Sequence, residues 1–189
     1  MSRRTAATAA RPSRPFHAAA AAALAVAAAT SAVARPAAAQ IAPAEYAARR
    51  AALAAELPDG VTLALGAPEP EENYLAFNQA ARFLYLTGFR EPDAALVIVK
   101  RGPEVASTLF VQPSDPSQEV WTGHRVGVAG AAQLTGMPAR PVDELQKTLD
   151  SLLSSGLALH VVANLSESGA APAAEQAFVR GVLQRRRKS

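Results

Sequence analysis

Cysteine is absent from the 189 residues. That removes disulfide frameworks, thiolate nucleophiles and Cys-ligated zinc, whatever compartment the protein occupies. Histidine occurs three times, as His17, His124 and His160, and a zinc or manganese site would need two or more further ligands converging on one of them. The chain has no His-x-x-x-His pair and no Asp/His cluster. It also has no Gly-x-Ser-x-Gly elbow to expose a nucleophilic serine and no phosphate-cradling glycine loop. Aromatic residues make up 5% of the chain, with one tryptophan, Trp121. No assembled active site is visible in these residues, so the catalytic set is empty and the metal set is empty. His160, inside an apolar run, is expected to be a satisfied sheet residue. His124, in a Trp-Thr-Gly-His-Arg turn, is the histidine of interest.

Acidic residues are missing from one end. Residues 1–39 hold five arginines and no acid, so from Gln40 onward there are fourteen basic against sixteen acidic side chains. Arg185, Arg186, Arg187 and Lys188 hold four of those fourteen, leaving an acidic body with basic ends. Phosphate binding needs basic side chains gathered on one folded face, so no nucleic-acid partner is expected. Residues 1–39 have the order of a secretory signal: Arg3, Arg4, Arg11 and Arg14, an alanine-rich apolar stretch over 18–34, then Ala37-Ala38-Ala39 as a cleavage site. That stretch is mostly alanine and falls short of the about 20 strongly apolar residues of a stable span, so no membrane span is expected. An exported protein, periplasmic or secreted, follows. Arg3-Arg4 leaves a twin-arginine route open, although Thr5-Ala6-Ala7 lacks the bulky apolar residues of such signals.

The remainder is long enough to bury a core. Its alanine-rich stretch 43–57, with a proline at the first turn and Pro58-Asp59-Gly60 as the stop, predicts a helix. A buried strand is predicted over 61–65 and an exposed loop over 66–73. Apolar runs at 94–100 and 108–112 around Arg101-Gly102-Pro103-Glu104 predict an antiparallel hairpin in the middle of a sheet. A helical turn over 117–121, helices over 127–134 and 142–153, a strand over 157–163, a loop over 164–172 and a last helix over 173–184 complete the reading. Strands separated by helices, with one hairpin, imply an α/β fold: a mixed sheet flanked by helices. No internal repeat is visible.

Two stretches stand out. Phe83 to Ala95 reads Phe-Leu-Tyr-Leu-Thr-Gly-Phe-Arg-Glu-Pro-Asp-Ala-Ala, an aromatic-rich run, a Thr-Gly break and a charged turn before a strand. Glu119 to Arg125 reads Glu-Val-Trp-Thr-Gly-His-Arg, after an acidic turn at Asp115. The carboxylates of Glu91 and Asp93 flank Pro92 and could do acid–base work, but a proline-stiffened turn with acidic ends is the stronger reading. Trp121 is open to two readings: a core anchor, or an interface or substrate wall, since tryptophan and arginine dominate hot spots.

In combination these blocks resemble the N-terminal domain of aminopeptidase P, the Xaa-Pro aminopeptidases of the creatinase and prolidase superfamily. The likeness implies a creatinase/aminopeptidase P N-terminal-like fold with a ribonuclease H-like motif over 40–184. It implies a structural role for Tyr85, Gly88, Phe89, Glu91, Pro92 and Asp93. It places Trp121, Gly123, His124 and Arg125 near a substrate channel or subunit interface, in a homo-oligomer acting on proline-containing peptides. Family members add a C-terminal pita-bread catalytic domain that holds two metal ions, usually manganese, through two Asp, one His and two Glu. Those ligand motifs do not occur in this sequence, and Arg185 to Ser189 is similar to the segment opening that domain, so 185–189 is expected to begin a linker to it. The implied function is the non-catalytic N-terminal domain of an exported metallopeptidase, inactive alone. The alternative is a free-standing exported interaction module that reuses the fold without peptidase activity.

Overall fold

A computed structural model of the chain describes residues 41–70, 76–162 and 173–186. The expected leader, part of the 66–73 loop, the 164–172 loop and residues 187–189 lie outside them. Helix α1 (Pro43–Glu56) leads into β1 (Gly60–Leu65). After a short helix α2 (Ala81–Thr87) come the hairpin strands β2 (Ala95–Arg101) and β3 (Glu104–Val111). Helices α3 (Pro116–Thr122) and α4 (Gly127–Thr135), strand β4 (Ala139–Pro141) and a 3₁₀ turn (Val142–Glu144) follow. Helix α5 (Leu145–Ser154), strand β5 (Leu159–Val161) and helix α6 (Ala173–Arg186) complete the described chain.

The five strands lie in the order β4-β3-β2-β1-β5. The β1-β2-β3 meander is antiparallel, and each outer strand joins it in parallel, β5 beside β1 and β4 beside β3. The sheet is therefore mixed, with helices on both faces. Successive strand residues point to opposite faces, and two cores result. Ala64, Leu96, Ile98, Leu109 and Val111 pack with Ala54 of α1, Phe83 and Leu86 of α2 and Ala131 of α4. Val61, Leu63, Ala95, Val97 and Phe110 pack with Leu145, Leu149 and Leu153 of α5 and Val182 of α6. Strand β2 is buried on both faces, which is why Ala95-Leu96-Val97-Ile98 reads as an unbroken apolar run rather than an alternating one.

Polar groups close the helix ends. Lys100 Nζ donates to Ala54 O at 2.8 Å and Leu57 O at 2.7 Å, satisfying carbonyls at the end of α1. Arg50 of α1 is buried and donates to Leu86 O at 2.9 Å, tying α1 to the end of α2. Burial there pushes the Arg50 guanidinium below its ordinary value.

Helix α2 is absent from the sequence-based reading, which treats 83–86 as an aromatic run. Its seven residues include β-formers and it has no side-chain N-cap. The Thr-Gly break is its C-terminal stop: Thr87 Oγ1 donates to Phe83 O at 2.7 Å and Gly88, at φ 67°, donates its N–H to Leu84 O. The same four-residue device ends α4. There Thr135 Oγ1 donates to Ala131 O at 2.7 Å, and Gly136, at φ 66°, donates to Ala132 O. Leu86-Thr87-Gly88-Phe89 and Leu134-Thr135-Gly136-Met137 are thus one short motif used twice, and both deliver their last residue, Phe89 or Met137, into the same core. The other differences are the small strand β4, the 3₁₀ turn that opens the 142–153 helix, and the last helix running to Arg186.

A Cβ added at Gly88 would lie 2.5 Å from the Tyr46 ring, in a left-handed conformation. Gly102 is also left-handed, at φ 55°, with open space around it. Gly102→Ala should therefore cost only the conformational penalty of about 1–2 kcal/mol. Gly88→Ala should cost roughly 2–4 kcal/mol. Chemical unfolding of both variants checks this, and equal losses would remove the Tyr46 contact as the cause.

Candidate functional site

Three connections meet at one end of the sheet: residues 66–70 leaving β1, residues 88–94 entering β2, and residues 112–126 between β3 and α4. Gln79 fastens the first two. Its Oε1 accepts from Ala67 N at 2.6 Å and Ala80 N at 2.8 Å, and its Nε2 donates to Glu91 O at 2.8 Å. Gly66 N donates to Ala94 O and Asp93 N to Ala67 O. Asp93 sits at φ 53°, unusual for a residue with a side chain, and its Oδ1 lies 3.4 Å from Glu69 N. Pro92 is buried between the two acids, and Phe89 is in the core.

Glu91 joins this pair to the third connection. Its Oε1 accepts from Val126 N at 2.9 Å, so the two sequence blocks meet through one carboxylate. Glu91 Oε2 is buried with no hydrogen-bond partner among the described residues. Arg125, largely buried, pairs with Glu69 across the same junction. In this turn the Glu91 and Asp93 carboxylates face backbone amides, Val126 N and Glu69 N.

The Trp-Thr-Gly-His-Arg loop projects from that base. Trp121 is 84% exposed and Val120 beside it 78%, so a core-anchor role for Trp121 is excluded. Gly123 ends α3 at φ 79°, its N–H bonded to Glu119 O at 3.0 Å. His124 is exposed, with Nδ1 2.9 Å from Glu119 Oε2. Glu119 Oε1 accepts from the Ser114 hydroxyl at 2.7 Å. The Ser114 hydroxyl, then the His124 ring, hold the Glu119 carboxyl below its ordinary value. Asp115 is the α3 N-cap, accepting from Ser117 N at 2.9 Å.

Tyr85 lies elsewhere. It is 57% exposed, and the Arg49 guanidinium stacks 4.3 Å from its ring centroid and 5.3 Å from that of Tyr46. An apolar groove of about 760 Å³ runs beside it between α1 and α2, floored by Ala48, Ala52, Leu53, Leu86 and Val162. His160 is in strand β5 opposite Thr62, as a sheet residue should be, but its Nε2 is buried with no hydrogen-bond partner among the described residues. The satisfied histidine expected there is corrected to that extent. Among the described residues no three His, Asp or Glu side chains are grouped to hold a metal ion. The manganese pair that the resemblance assigns to a catalytic domain therefore does not fit these residues. No described helix is long and apolar enough to cross a membrane.

The family model described as aminopeptidase P, N-terminal domain, matches residues 46–161, which includes the whole loop cluster. The chain belongs to that family. It is 44% identical over 81 residues to mouse Xaa-Pro aminopeptidase 3, covering 40% of this chain and 16% of the relative. To Xaa-Pro aminopeptidase of Haemophilus influenzae it is 37% identical over 94 residues, covering 49% and 22%. Among solved structures, a variant of Escherichia coli aminopeptidase P superposes with TM-score 0.67 at 30% identity, over 79% of this chain and 34% of that one. The chain thus spans about a third or less of the proteins it matches.

This aminopeptidase P N-terminal domain uses three site residues that the sequence reading missed. Gln79, Glu69 and Glu119 each act on backbone or on a partner far along the chain, and only Glu119 carries a local signal, its place five residues before His124. As a check on the junction, Glu91→Ala should leave Val126 N without its acceptor and raise amide exchange at Val126 by roughly 10-fold or more, as the loss of a hydrogen bond to a charged group implies. Unchanged exchange at Val126 would separate the two blocks energetically.

Proposed function

We propose that this chain acts as the non-catalytic N-terminal domain of an exported Xaa-Pro aminopeptidase, presenting Trp121 as a wall of the substrate channel. One observation carries the reading: the chain's sole tryptophan, in its most distinctive motif, stands 84% exposed on a loop whose base is braced by Glu91, Glu69 and Arg125. An indole held out in water forfeits the burial that normally favours it, and a rigid base presents it to a partner rather than leaving it loose. The partner in this reading is a C-terminal catalytic domain with two manganese ions, in the same protein or in a neighbouring subunit of a homo-oligomer. The metal ions would supply activated water there; among the described residues of this chain no three His, Asp or Glu side chains are grouped to hold them.

The chain's own contribution is binding and exclusion. A flat apolar indole face offers a surface for the pyrrolidine ring of a proline-containing peptide and keeps bulk water from one side of it. Export is supported by the signal-like order of residues 1–39. The proposal extends to the relatives' shared name, Xaa-Pro aminopeptidase.

Two measurements test it. This chain with manganese and a Xaa-Pro peptide should release no amino acid, and turnover would overturn its non-catalytic role. Placed in a chimera in exchange for the corresponding part of E. coli aminopeptidase P, the domain should support peptide cleavage. In that chimera Trp121→Ala should lower kcat/KM by roughly 10-fold or more, about 1.4 kcal/mol of transition-state stabilisation. Unchanged efficiency would leave the exposed indole to an interaction module without a part in cleavage.

A further inference from the structure

Helix α3 is inside out. Its apolar pair Val120 and Trp121 faces solvent, while the Glu119 carboxylate between α3 and its own flanks is only 17% exposed. That carboxylate is fully used. Oε1 takes the Ser114 hydroxyl at 2.7 Å, and Oε2 lies 2.9 Å from His124 Nδ1. Ser114 precedes the helix and His124 follows it, so one side chain closes the segment on both sides. A helix of seven residues has little stability of its own. Nothing apolar on α3 is available to hold it, since its large apolar side chains point outward.

We propose that the Glu119 carboxylate is the positioning residue that fixes where Trp121 is presented, by clamping Ser114 to His124 across the base of the loop. The other charged groups nearby are already engaged: Arg125 with Glu69, Glu91 with Val126 N, and Asp115 with Ser117. The benefit of this positioning rests on Trp121 serving as a channel wall, but the positioning itself is a property of this chain alone.

A carboxyl group held below its ordinary value contributes stability that is present above that value and lost as pH falls through the lowered one. The clamp is therefore closed at neutral pH and opens only below the ordinary 4.5 of a glutamate. Glutamine at this position keeps the shape but not the charge, so its bonds to Ser114 and His124 lose the charge assistance that the carboxylate provides.

Trp121 is the only tryptophan in the chain, so its fluorescence anisotropy reports the loop directly. The wild-type chain should hold a constant anisotropy from neutral pH down to about 4.5 and lose it in one step below that. Glu119→Gln should lower the anisotropy at neutral pH, abolish the acid step, and raise exchange at the Gly123 amide that ends α3 by roughly 10-fold or more. Exchange in β2 should stay at its wild-type rate. Ser114→Ala removes the largest cause of the lowered value and should move the acid step upward, which also keeps the test open if Glu119→Gln fails to fold. An acid step that persists in Glu119→Gln, or one that stays in place in Ser114→Ala, would overturn the proposal. Loss of loop order in Glu119→Gln together with full activity of the same variant in the chimera would refute the channel-wall role while leaving the positioning intact.

Discussion

The hydrogen bond from Val126 N to Glu91 Oε1 is the contact on which the functional end of the domain depends. It is the direct tie between a turn that enters the central strand and a loop that leaves the third one. Strand β2 is packed on both faces and cannot shift, so a turn welded to its start is a fixed point. Through Glu91 the Trp121 loop inherits that rigidity. Arg125 and Glu69 add a second tie from the end of β1, and Gln79 locks the two inner connections to each other. The result is an exposed aromatic on a stiff mount, built from carboxylates and a carboxamide that hold backbone amides.

The layers behind this mount follow from apolar patterning. Alternation in β1 and β3 divides their side chains between the two cores, the unbroken run in β2 marks its burial on both faces, and the leucine spacing of α5 matches the residues it buries. These parts were legible because burial by periodicity is a local property of the chain. Helix α2 was not legible, since two turns rich in aromatic residues carry neither a cap nor a period long enough to declare themselves; the packing of Phe83 and Leu86 decides its form. Strand β4 is three residues that gain their identity only by pairing with β3.

At the site, legibility divides by the same rule. Trp121, His124 and Arg125 were visible as unusual residues in an unusual order, and Glu91 and Asp93 as a stiffened acidic turn. What the order alone does not disclose is who holds whom. Gln79 reaches residues twelve positions away on either side, and Arg125 reaches back 56 positions to Glu69. The sequence reading left Trp121 evenly divided between core and surface; its exposure came from the neighbours of α3, where the acid takes the inward place. His160 shows the opposite limit, a histidine correctly placed in a strand whose ring nitrogen nevertheless lacks a described partner.

The doubled Leu-Thr-Gly stop has a consequence for how this chain can change in length. Each stop ends a helix and, one residue later, places a large side chain in the same packed core. An insertion of one residue within either helix would rotate its terminal threonine and glycine by about 100° around the axis. It would also pull Phe89 or Met137 out of register. The two helices are in effect measured against each other, so that neither can lengthen or shorten unless the sheet face they share is rebuilt.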